Sequence, residues 1–94
     1  MQTIWKYPMR SGSKVTIDMV VGSKILCVQT QYGVPCIWAI NPNTDSPMME
    51  QRTFAIHGTG HDIKDGDLGS YIGTFQLNEG SLVGHVFETA HTPT

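Results

Sequence analysis

Glycine or proline interrupts this chain about every ten residues, and between the interruptions apolar and polar residues alternate one by one. Together these features exclude helices of ordinary length, which need roughly 10–12 uninterrupted residues with apolar positions three and four apart. Alternation with period two is instead the mark of a strand with one buried face. In "KVTIDMV" (14–20), Val15, Ile17 and Met19 fall on one face and Thr16 and Asp18 on the other. The same reading applies to "QTIWKY" (2–7), "KILCVQTQY" (24–32), "CIWAIN" (36–41), "MEQRTFAIH" (49–57), "SYIGTFQL" (70–77) and "SLVGHVFE" (81–88). Turn chemistry in "YGVP" and "NEG" makes hairpins of the third and fourth and of the last two segments. The expectation is an all-β protein: a small single-domain β-sandwich or open barrel of about six to seven antiparallel strands, with little or no helix. It spans residues 1–94, with residues 89–94 as a flexible tail.

A chain of 94 residues holds one small core and little room for an enclosed pocket. Size alone therefore points to a homo-oligomer, with Met48 and Met49 as candidate contact residues. Six Lys and Arg stand against eight Asp and Glu, and no basic cluster forms. Duplex nucleic acid is thus not an expected partner, since affinity for it rests on clustered cations that release counterions. A small anionic ligand is compatible, because it needs only one or two cations and some N–H donors. No apolar run reaches the ~18–20 residues of a membrane helix, so no membrane partner is expected. Cys27 and Cys36 both sit in apolar strand segments, which suits buried free thiols, with a cross-strand disulfide as the alternative. The expected location is a reducing cytoplasm.

The stretch "FAIHGTGHDI" (54–63) carries most of the chain's candidate chemistry. Phe54 and Ile56 share the inward face, which leaves His57 on the opposite one. Gly58 and Gly60, on either side of Thr59, can adopt positive φ and so converge successive N–H groups on an anion, with His61 as a further donor. The plain alternative is a glycine turn at a strand end. A metal reading would use His57, His61, Asp62 and His85, but the glycines remove the helix that would put His57 and His61 on one face. His85 has the parity of Val83 and Phe87 and reads as a hydrogen-bonded, half-buried histidine. No nucleophile elbow or phosphate-loop lysine is present, and Asp62, Asp65 and Asp67 suit turn formation as well as acid–base work. No catalytic residue, metal ligand or cofactor is assigned. Trp5 and Trp38 are each open to two readings, core packing or contact, and an exposed indole beside Arg10 or Arg52 would stack a base while the guanidinium held its phosphate.

The segments "TIWKY", "KILCVQ", "PCIWAI", "HGTGHDI", "YIGTFQL" and "VGHVFE" follow in an order that resembles a family of small accessory proteins of tailed phages and prophage-bearing bacteria. The resemblance covers about residues 3–88 and implies an origin, with the host bacterial cytoplasm as the place of work, and carries over no catalytic residue. In that setting the residue set suits an anti-defence protein that sequesters a cyclic nucleotide or an ADP-ribose derivative without cleaving it, by analogy with phage sponges. The expected ligand residues are His57, Gly58, Thr59, Gly60, His61, Arg52, Trp38 and Trp5. The alternatives are a module that binds a host or virion protein through its sheet surface, and a small metal-dependent phosphodiesterase built on His57, His61 and Asp62.

Overall fold

A computed structural model describes residues 2–10, 12–45, 47–64 and 68–89. Asp65, Asp67 and the expected tail from residue 90 onward lie outside the described residues. Among the described residues seven strands form: β1 (Thr3–Pro8), β2 (Lys14–Val20), β3 (Lys24–Gln31), β4 (Val34–Asn41), β5 (Met49–Gly58), β6 (Ser70–Leu77) and β7 (Leu82–Glu88). They build two antiparallel sheets, one of three strands in the order β1-β4-β3 and one of four in the order β2-β5-β7-β6. The all-β expectation holds, and among the described residues the one helical element is a 3-10 turn at Asn78–Gly80 inside the β6–β7 hairpin. No helix among the described residues is long and apolar enough to cross a membrane.

Local chemistry explains the connections. Tyr32 and Gly33, with φ of +50° and +77°, make the two-residue β3–β4 turn whose twist matches that of the flanking strands. The Gly22–Ser23 turn does something different: it carries the chain out of the four-stranded sheet and into the three-stranded one. Thr89 is held at the end of β7, where its N–H donates to the Thr53 carbonyl at 2.9 Å.

Alternation then decides what meets between the sheets. Tyr7, Val28, Ile37 and Ala39 of the three-stranded sheet pack against Met19, Phe54, Phe75 and Val86 of the other. Gly84 lies beneath the Phe75 ring: a Cβ there would stand 2.6 Å from Phe75 Cε1, so the strand tolerates no side chain at that position. Cys27 and Cys36 are free thiols. They occupy diagonal positions of the β3–β4 ladder, opposite Trp38 and Gln29 respectively.

One end of the sandwich is closed by polar groups. Arg52 shares the parity of Phe54 and so points between the sheets, where Nε and Nη2 donate to the two Glu88 oxygens at 2.6 and 2.7 Å. Its Nη1 donates to the Ser23 carbonyl at 2.7 Å, which ties the sheet-switching turn to β5 and β7. Hydrogen bonding to Glu88 raises the Arg52 pKa above its ordinary value, against the lowering effect of burial. Beside it the Tyr7 hydroxyl donates to Asn41 Oδ1 at 2.9 Å, and the Ser23 hydroxyl lies 2.9 Å from the same oxygen. Glu88→Gln leaves this half-buried cation without its counter-charge and lowers the free energy of unfolding by about 2 kcal/mol. Urea denaturation measures the loss; Arg52→Met combined with Glu88→Leu recovers most of it, and an equal loss in the double variant would refute the account.

Candidate functional site

At the other end β5 runs out into the turn Gly58–His61. The His61 N–H donates to the Gly58 carbonyl at 3.2 Å, and Gly60 takes φ +83°, the arrangement of a type II turn with glycine at its third position. Gly58 is the last residue of β5 and does not have positive φ. Of the two glycines expected to adopt positive φ only Gly60 does so, and the His61 N–H is used within the turn. Gly58 has a different reason to lack a side chain: a Cβ there would lie 2.8 Å from both Cε1 and Nδ1 of His61, whose ring folds back over it.

The turn is anchored through a chain of side chains on the outer face of the four-stranded sheet. Thr59 Oγ1 and His85 Nε2 are hydrogen bonded at 2.7 Å, His85 Nδ1 and Thr74 Oγ1 at 2.9 Å, and Thr74 Oγ1 and the Tyr71 hydroxyl at 2.6 Å. A neutral imidazole donates from one nitrogen and accepts at the other, so both His85 nitrogens are committed to hydroxyls. Phe87 stands between two further rings, with centroids 5.7 Å from His57 and 5.3 Å from Tyr71.

A bulge makes this face possible. The β6–β7 register shifts between Tyr71 and Gly73, so Tyr71 pairs with Phe87 while Thr74 pairs with His85. Simple alternation would place Tyr71 and Thr74 on opposite faces; the extra residue brings both to the outer one.

Two clefts result, one on each side of the turn, and His57, Gly58 and His61 line both. The first, about 250 Å³, is polar and adds Lys14, Lys64, Asp62 and Ser13. The second, about 290 Å³, is aromatic and adds Tyr71, Phe87, His85 and Ile63.

Of the expected site residues, His57, Gly58, Thr59, Gly60 and His61 come together here. Arg52 does not: its guanidinium is taken up by Glu88 and the Ser23 carbonyl at the closed end. Trp5 also lies toward that end, half exposed, in a cleft with Val20, Asn41 and Pro42. Trp38 is on the outer face of the three-stranded sheet, its Nε1 donating to the Gln29 carbonyl at 3.4 Å. Lys14, Lys64, Tyr71 and Phe87 are members of the site that the sequence reading did not select. The alternation of β2 and β5 already carried a signal for Lys14, which pairs with Ala55 on the His57 face. Among the described residues no three His, Cys, Asp or Glu side chains converge as a metal site.

Fold and site together define a small two-sheet all-β domain with its candidate site on a strand-end turn. The chain belongs to the DUF7352 family, described as a domain of unknown function, whose model matches residues 1–94. No curated protein and no solved structure matches it.

His85→Phe preserves the ring but removes both hydroxyl partners. The turn then loses about 1 kcal/mol of anchoring, or roughly fivefold in local opening. Hydrogen exchange at the His61 amide accelerates accordingly, while core amides of β4 are unchanged; unaltered exchange at His61 would show that the hydroxyl chain does not hold the turn.

Proposed function

We propose that this domain binds and retains a small anionic ligand of nucleotide type without cleaving it. The observation that supports the reading is the pairing of a lysine-bearing cleft with an aromatic cleft across one shared turn. Ligand oxygens would sit beside Lys14 and Lys64, and a base would stack on Tyr71 or Phe87. Side chains take the part first given to the turn's N–H groups. A stacked base contributes about 1–3 kcal/mol, and cationic hydrogen bonds to oxygen anions are about twice as strong as neutral ones. Retention rather than turnover fits the commitment of both His85 nitrogens to hydroxyls, which leaves that imidazole no lone pair for a substrate. In the phage setting that the sequence pattern implies, such a protein would act in the host cytoplasm as an anti-defence sponge for a cyclic nucleotide or ADP-ribose derivative. A second copy in a homo-oligomer would deepen these shallow clefts.

A second reading rests on the outer face of the three-stranded sheet, where Ile4 is 61 % and Leu26 45 % exposed. Trp38 and Ile40 continue that face, which suits a host or virion protein as partner.

The two readings separate in one experiment. The protein is incubated with a panel of cyclic nucleotides and ADP-ribose derivatives, washed, and heated to release what it holds. Recovery of one intact ligand is expected, falling about tenfold in Lys64→Gln and in Tyr71→Ala. Release of a cleaved product, or retention of nothing across the panel, would sink the proposal. A defined protein partner lost on Ile4→Lys would favour the second reading.

A further inference from the structure

The end of the sandwich opposite the Arg52–Glu88 pair is open, and a cleft of about 620 Å³ enters there between the sheets. Its walls are Met9, Val34, Ile56, Phe75, Leu77 and Leu82. Met9 and Phe75 are buried and form its floor, whereas Val34 is 40 % and Leu82 50 % exposed at its rim. The volume lies within the roughly 300–1,000 Å³ of sites that hold small organic ligands. Among the described residues one lysine or arginine lines it, Arg10, together with the polar Ser13 and His61, and no carboxylate does. Among the described residues Arg10 makes no ion pair and no side-chain hydrogen bond, in contrast to Arg52. A guanidinium at the mouth of a mainly apolar slot selects for a ligand with an apolar body and an anionic head.

The geometry points to a second binding site at this open end, for an aliphatic monocarboxylate whose chain enters between the sheets while its head pairs with Arg10. A slot between sheets about 10 Å apart suits an unbranched chain better than a bulky ring system. Each methylene that enters leaves water for an apolar wall, which supplies the affinity, and Arg10 fixes the direction of entry. The site adjoins the lysine-bearing cleft beside the turn: Ser13, Ile56, Gly58 and His61 line both, whereas Arg10 lines only this one and Lys14 and Lys64 only the other.

The test is a titration of the full chain with decanoate and with 1-decanol, followed by the side-chain methyl resonances. Decanoate is expected to bind one to one and saturably, with shifts confined to Val34, Ile56, Leu77 and Leu82. Arg10→Gln weakens decanoate about tenfold, to the level of decanol, as the loss of one charge-assisted contact requires. Leu82→Trp, at an exposed rim position that tolerates substitution, fills the mouth and abolishes binding. Lys64→Gln leaves decanoate binding unchanged, so failure of the nucleotide reading does not carry over to this one. Absence of saturable binding overturns the proposal, as does equal affinity for decanoate and decanol in the native chain. Concentration-dependent self-association that buries the same methyls and resists decanoate also overturns it, and assigns the mouth to a second copy.

Discussion

The paired charges of Arg52 and Glu88 set the polarity of the whole sandwich. Both project from the inner face of the four-stranded sheet, where apolar residues stand elsewhere, and each satisfies the other through two parallel hydrogen bonds. Removing such groups from water is costly, and the bidentate geometry together with the Ser23 carbonyl offsets that cost. With this end sealed by polar contacts between β5, β7 and the β2–β3 turn, the apolar interior meets solvent at the opposite end. Because the folded-state pKa of Arg52 is raised by its bond to Glu88, loss of the guanidinium charge weakens the pair only in strong alkali, as pH rises through and beyond the usual guanidinium range.

The candidate site depends on that arrangement at one remove. The turn Gly58–His61 lies at the open end because β5 runs from the closed end to it. What makes the turn more than a connection is the bulge in β6, which gathers Tyr71, Thr74, His85 and Phe87 on one face. The hydroxyl chain through His85 then fixes the turn against that face, so that the lysines on one side and the aromatic rings on the other keep a constant relation.

Much of this was legible from alternation. Strand positions, the two hairpins, the inward Phe54 and Ile56, and the hydrogen-bonded state of His85 all follow from period-two patterning and turn chemistry. Arg52 was legible too, since it stands two residues from Phe54 and shares its face, but charge argued for solvent and concealed the pairing with Glu88. The bulge at Ile72 was not, because alternation carries no record of an added residue, although the adjacent Gly73 is a common companion of such irregularities. Nor could residue type reveal whether Gly58 serves backbone freedom or clearance; only the folded-back His61 ring decides for clearance. The switch of sheets at Gly22–Ser23 looks, in sequence, like any tight hairpin turn.

That switch governs how the chain can assemble. Among the described residues β1 pairs with β4 alone and β2 with β5 alone, so neither early strand pairs with the strand that follows it. Of the described strands, β3–β4 and β6–β7 alone close as local hairpins. They are the natural nuclei, and the edges wait for long loops to close, which places this small protein among slow folders. Until then Ile4 and Trp5 remain on an unpaired edge, where another chain can compete for them, and the risk of misassembly lies at the N-terminal strand.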